Sequence, residues 1–197
     1  MSIEFCRGPN VYLRETMPLD LQAIEDALSD WESMPISTER VKIYLRGLFS
    51  GYRFIERPYT DTSEFRELLS ICRVSDDEVV GLNQFTILTG RRVESVLMAI
   101  RPSFRQMGYR AEASLIRDAI LFDELGIVYK TDNLIDSRVS PRGYQKAVST
   151  SISSRTNLST TLYETTRESW LSWKEANAAT IPAYTYTGNG YIPPHLR

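Results

Sequence analysis

The chain has 197 residues, of which 42% are hydrophobic, 24% charged and 11% aromatic, the balance of a soluble globular protein with a core of ordinary size. Its 23 basic and 25 acidic side chains give a formal net charge of -2, so no overall electrostatic pull toward nucleic acid is expected. A single histidine, His195, and two isolated cysteines, Cys6 and Cys72, exclude a disulfide framework, a zinc pattern and a histidine-dependent triad, so no metal is expected and a reducing, cytoplasmic setting is. The first residues lack the basic start and apolar block of a signal peptide. No apolar run approaches the ~20 residues that span a bilayer.

In chain order, residues 10–15 (NVYLRE) alternate apolar and polar and predict a strand. Residues 18–31 predict a helix, with Leu19, Leu21, Ile24, Leu28 and Trp31 on one approximate stripe and Pro18 near the first turn. A second helix is expected from about Ser37, with Val41, Tyr44, Leu45, Leu48 and Phe49 on its apolar face and Gly51 as its stop. Residues 52–63 have no clear period and read as loop. Residues 68–74, 79–88 and 93–100 then predict three strands joined by turns too short for crossovers, hence an antiparallel meander. The period changes at residues 108–125, where Ala111, Leu115, Ile116, Ala119, Ile120 and Phe122 recur at helical spacing before Gly126. Residues 127–130 predict a short strand, reached by a crossover that favours parallel pairing with 93–100. One helical turn is expected in 141–147, a Ser/Thr-rich loop in 151–159 and a strand in 160–164. A helix over 165–177 has Thr165 and Glu168 at capping-box spacing, and Trp170 and Trp173 on one side. The chain ends in a stretch rich in tyrosine, proline and glycine.

The chemistry sits at IRPSFRQMG, residues 100–108. A strand feeding a helix through a tight loop turns successive N–H groups into one concavity, and the helix N-terminus adds partial positive charge. Glycine lets a phosphate oxygen approach the backbone.

At these residues the sequence resembles the GNAT acyltransferase superfamily: Ile100, Pro102, Arg105 and Gly108 match the first four fixed positions of its hallmark, and Arg110 stands where the family has a last glycine or alanine. VYLRETMPLDLQAIEDAL is similar to the family's first strand and helix, LLSICRVSDDEVVGLNQFTIL to its second and third strands, and LYETTRESWLSW to the end of its ribosomal-protein branch. The resemblance covers about residues 10 to 175. It implies an α/β fold with a mixed, largely antiparallel central sheet flanked by helices, as a domain over 10–177 followed by an extended arm over 178–197. It also implies acetyl-CoA as cofactor and an amine as acceptor. The pyrophosphate would lie on Arg105, Gln106, Met107, Gly108, Tyr109 and Arg110, and the pantetheine along Met98 and Ile100. Asn133 corresponds to the asparagine after the fifth strand. Glu94 is the candidate base and Tyr144 the candidate acid.

Each position also has a plain structural reading: Glu94 as a solvated strand residue, Tyr144 as a packing residue, the tryptophans as core. Arg110 either blocks the pyrophosphate or lies outward. A second expectation is therefore a GNAT fold without catalysis, as among virion proteins of tailed bacteriophages, with residues 178–197 contacting a partner or another subunit. An open cleft between the strands on either side of the crossover favours the enzyme. A cleft plugged by Arg110 or tryptophan opposes it.

Overall fold

The computed structural model describes residues 4–29, 65–135, 141–152 and 159–187. The helix expected from Ser37 and the loop at 52–63 lie outside them.

Among the described residues nine strands form one sheet: β1 (Glu4–Arg7), β2 (Val11–Glu15), β3 (Phe65–Arg73), β4 (Val79–Leu88), β5 (Arg92–Ile100), β6 (Tyr129–Ile135), β7 (Lys146–Ile152), β8 (Ser159–Thr166) and β9 (Thr185–Tyr186). Their spatial order is β7-β8-β6-β5-β4-β3-β2-β1-β9. The pairings are antiparallel except for β5 with β6, which is parallel as the crossover requires.

Three helices of the described residues pack on this sheet: α1 (Leu21–Leu28), α2 (Tyr109–Ala119) and α3 (Arg167–Ala176). The stripe Ile24, Ala27 and Leu28 of α1 covers Leu82, Leu97 and Ala99 on one face. On the other face, Ala113, Ile116, Ala119 and Ile120 of α2 and the turn after it meet Phe85, Ile87, Val93 and Ile100. Each large aliphatic side chain buried there contributes roughly 1.5–3 kcal/mol. The same register sorts the meander: Leu82, Gln84 and Thr86 pair with Ala99, Leu97 and Glu94, so these six share the α1 face.

Several expectations are adjusted. The helix predicted over 108–125 is α-helical only to Ala119, and Ile120–Glu124 widen into a π turn before Gly126 at φ 63°. The cap of α3 is Thr166 rather than Thr165: the Thr166 hydroxyl accepts from Ser169 N at 3.1 Å, while Thr165 is buried in β8. The helical turn expected in 141–147 is a hydrogen-bonded turn, with Gln145 N donating to Arg142 O at 2.9 Å. The loop expected from residue 151 is strand through Ile152. KAVSTSI has the β-branched residues of a strand but no apolar alternation, because neither of its faces is buried.

The sheet also takes in residues outside 10–177. β1 pairs with β2 and β9, Thr187 N donates to Phe5 O at 2.8 Å, and the Tyr184 hydroxyl donates to Asp123 at 2.7 Å. The arm as far as Thr187 thus lies on its own domain.

Candidate functional site

The site begins where β5 and β6 part. They pair from Arg92 and Tyr129 to Ser95 and Asp132. Beyond that, among the described residues, β5 continues beside β4 and β6 beside β8. A bulge coincides with the parting: Gln84 pairs with Leu97 but Phe85 with Ser95, which leaves Val96 as the extra residue on β5. A bulge bends its strand and increases the twist, so the last residues of β5 turn away from β6 and a wedge opens between 97–100 and 133–135.

The loop after β5 leads from the end of that strand into α2. Pro102–Phe104 form a single 3-10 turn. Gln106 and Gly108 take positive φ, 64° and 81°, and Gly108 is the residue from which α2 starts. A Cβ at Gly108 would meet nothing within 4 Å, so the backbone there is open. The first turn of a helix leaves N–H groups without intrahelical partners and carries partial positive charge. Arg105, Gln106, Met107 and Gly108 are exposed around it. Arg105 Nε donates to Ile100 O at 3.0 Å, bracing the loop across its base. Phe104 is held between the guanidiniums of Arg73 and Arg101, at 4.9 and 5.1 Å from its ring centre. Arg110 is exposed on the first turn of α2.

The expected site residues fall into three groups. Met98 and Ile100 lie on β5 beyond the bulge, and Arg105 to Arg110 form the loop and helix start. Glu94 is exposed, two residues before the bulge and opposite Thr131. Asn133, also exposed, is the first residue of β6 past the parting. Glu94 and Asn133 share the α1 face, because Asn133 is two residues beyond Thr131.

Tyr144 stands apart. It is 4% exposed. Its hydroxyl donates to Asp118 Oδ2 at 2.6 Å, and its ring meets Trp170 and Trp173 edge-on at 5.1 and 4.8 Å. Burial, then the adjacent Asp118 carboxylate, raise its pKa well above the usual tyrosine range. In this structure the hydroxyl serves Asp118, and the two tryptophans pack toward the far end of α2, against Phe122 and Tyr144. Cys72 is also buried, and burial pushes its thiol up to about 11.

A charged cluster at the vertex of the wedge has no counterpart among the expected residues. Lys130 Nζ lies 2.7 Å from both Asp118 Oδ1 and Asp132 Oδ2. Arg117 reaches Asp118 at 2.9 Å and Asp132 at 3.3 Å, and Gln145 Nε2 donates to Asp132 at 2.9 Å. All four charged side chains are buried. Two cations face two anions, so the cluster is neutral and its lone pairs are engaged, the condition under which buried ions are tolerated. Burial alone would raise the Asp118 carboxyl, but Arg117 and Lys130 outweigh it and hold the carboxyl below its ordinary value. Asp132 is also the last residue of β6 paired with β5, so the cluster ties the vertex to α2. A second tie lies at the start of α2: Glu112 accepts from the backbone N of Asn10 and Val11 at 2.8 and 3.0 Å.

Sequence comparison finds no matching family model and no matching curated protein. Solved structures do match. A GNAT-family acetyltransferase from Bacillus anthracis superposes with TM-score 0.61 at 13% identity, over 85% of this chain and 99% of the other. A GCN5-related N-acetyltransferase from Brucella melitensis gives 0.62 at 12% identity, over 92% and 89%. The fold is that of the GNAT acetyltransferases. A spermidine N-acetyltransferase mutant from Vibrio cholerae shares it too, with TM-score 0.60 at 11% identity, over 82% and 96%. The strand–loop–helix junction at 100–109 carries the residues of the sequence hallmark. Among the described residues no group of acids, cysteines or histidine is arranged to hold a metal, and no helix is long and apolar enough to cross a membrane.

Proposed function

We propose that the protein transfers an acyl group from acetyl-CoA to an amine. The observation that carries this reading is the wedge between β5 and β6 with an open, N–H-rich helix start at its mouth. That mouth suits a pyrophosphate: the backbone at 106–109 is accessible, Gly108 puts no side chain in the way, and Arg105 keeps the loop in shape. The outer edge of β5 at Met98 to Ile100 would hold the pantetheine amides by backbone hydrogen bonds, with Asn133 across the wedge. Acetyl-CoA, once bound, supplies an acyl group activated as a thioester. The chain's own part is then to admit and deprotonate the amine. Glu94 is the proton acceptor, directly or through a water, because it is exposed beside the vertex on the face that carries α1.

A second reading keeps the fold without catalysis, as a structural or interaction component such as a phage virion protein. Arg110 in the first turn of α2 and the engagement of Tyr144 by Asp118 favour it. Isothermal titration with acetyl-CoA separates the two, run on the native protein and on Arg110→Gly. Micromolar binding by the native protein is expected, followed by acyl transfer in a screen of primary amines. Binding gained only in the glycine variant would overturn the enzyme reading and place the closure at Arg110.

A further inference from the structure

The loop between β5 and α2 contains a residue under strain. Gln106 holds φ at 64°, the left-handed region that a residue with a side chain enters only at a cost and keeps only where its surroundings enforce it. Two residues earlier the loop is gripped at Phe104. Its ring lies between two guanidiniums from different strands, Arg73 at the end of β3 and Arg101 just after β5. Both guanidiniums are themselves held. Arg73 grips Asp76 through Nε and Nη2, at 2.9 and 2.6 Å. Glu78 bridges the pair, accepting from Arg73 Nη2 and from Arg101 Nη1, both at 2.9 Å. Arg101 Nη1 also donates to Val79 O at 2.9 Å, and its Nη2 lies 3.4 Å from Asp26 of α1. At the other end of the loop the side chain of Tyr109, the first residue of α2, also neighbours Arg73.

We infer that Phe104 is a positioning residue: clamped between Arg73 and Arg101, it sets the backbone of 105–108 in its bent form before a ligand arrives. The inference rests on the acyl-transfer reading for what the loop receives, a pyrophosphate, but not for how the loop is held. Charge decides the part played by the two arginines. Arg73 and Arg101 face three carboxylates, those of Asp76, Glu78 and Asp26, so the group has no positive charge left over for an anionic ligand. What the guanidiniums still offer is attraction for the face of an aromatic ring. Apolar burial alone does not place the ring there, because Phe104 is only partly buried, at the margin of the core. A loop preset in this way loses less freedom on binding, so the clamp raises affinity without touching the reacting atoms. Its effect belongs in Kd and KM for acetyl-CoA and not in kcat.

The test compares Phe104→Leu, which removes the ring, with Phe104→Tyr, which keeps its face, and with Arg73→Met, which removes one jaw of the clamp from a distant strand. The first readout is amide hydrogen exchange by NMR in the ligand-free chain, at Phe104 and Arg105, whose N–H groups donate to Arg101 O and Pro102 O. Phe104→Leu loses both cation contacts and should speed exchange there by about 5- to 30-fold, and Arg73→Met loses one and should speed it by about 2- to 5-fold. Exchange in β4 should be unchanged, and Phe104→Tyr should match the native chain. The second readout is titration with acetyl-CoA, which Phe104→Leu should bind more weakly by the same factor, with KM raised and kcat unchanged. Native exchange at these amides in Phe104→Leu would overturn the proposal. So would a tyrosine variant as loose as the leucine one, or equal acetyl-CoA affinity in the native chain and Phe104→Leu. If Phe104→Leu perturbs the whole fold, Arg73→Met carries the test, and native exchange in it overturns the proposal. A native chain that binds no acetyl-CoA while exchange still follows the ring would instead overturn the acyl-transfer reading and leave the clamp standing.

Discussion

Replacing Lys130 by methionine keeps most of the volume of the side chain and removes its charge. The ammonium it deletes lies 2.7 Å from two carboxylates, and the buried cluster goes from neutral to a net charge of minus one. Arg117 remains and now faces both carboxylates. Breaking a buried pair in this way costs about 3–5 kcal/mol. In a chain of this size each kcal/mol moves Tm by about 2–4 °C, so the expected drop is about 6–20 °C. Urea unfolding followed by tryptophan fluorescence measures it. The double variant Lys130→Met/Asp132→Asn restores neutrality and should recover about 1–3 kcal/mol relative to the sum of the single changes. The acid limb of stability carries a second signature. The Asp118 carboxyl is held below its ordinary value in the fold. Its contribution is therefore complete above the unfolded value of ~3.9 and is lost as pH falls through the lower folded value. Without Lys130 that loss begins at higher pH. A single variant within about 1 kcal/mol of the native chain, or a double variant no better than the sum, would refute the claim that charge balance holds the vertex.

Gly108→Ala places a Cβ in open space but at φ 81°, so its cost is the left-handed conformation, about 1–2 kcal/mol, read by the same urea titration together with weaker acetyl-CoA binding. Asn83 is fully buried on β4, and among the described residues neither polar atom of its amide has a hydrogen-bond partner. Asn83→Leu is therefore expected to stabilise the fold by about 1 kcal/mol, and a loss of stability in urea would show that the amide has a role the static structure does not reveal. Glu94→Gln should lower acyl transfer to an amine by about 100-fold or more while leaving acetyl-CoA affinity unchanged by calorimetry.

The meander β3–β5 and helix α2 are legible in the sequence because each has one dry face and therefore a clean period. The junction from Ile100 to Gly108 is legible because its chemistry is local: a strand end, a proline, and a glycine that α2 needs at positive φ. The vertex cluster is not. Asp118 and Lys130 sit 12 residues apart on a helix and a strand, and nothing in the spacing marks an ordinary pair of charges as buried. Tyr144 reads as a candidate acid for the same reason, since its partner Asp118 is remote in sequence. β7 escapes because alternation of apolar residues reports burial of one face, and β7 has no such face. β1 and β9 are too short for any period, and they become strands only by finding each other.

That last pairing has a mechanical consequence. β1 and β9 run antiparallel, with Cys6 opposite Tyr186 and Arg7 opposite Thr185, and Thr187 reaches back to Phe5 O and Glu4 O. Glu4 and Thr187 are thus neighbours at one end of the ribbon. Tension applied between them loads the hydrogen bonds in sequence, as in a zipper, not all at once in shear. The C-terminal strand would peel from the sheet under a small force while β2 to β8 stay intact. In an optical trap, a handle attached beyond Thr187 should report this edge opening as a separate, early and reversible extension, well before the sheet itself gives way.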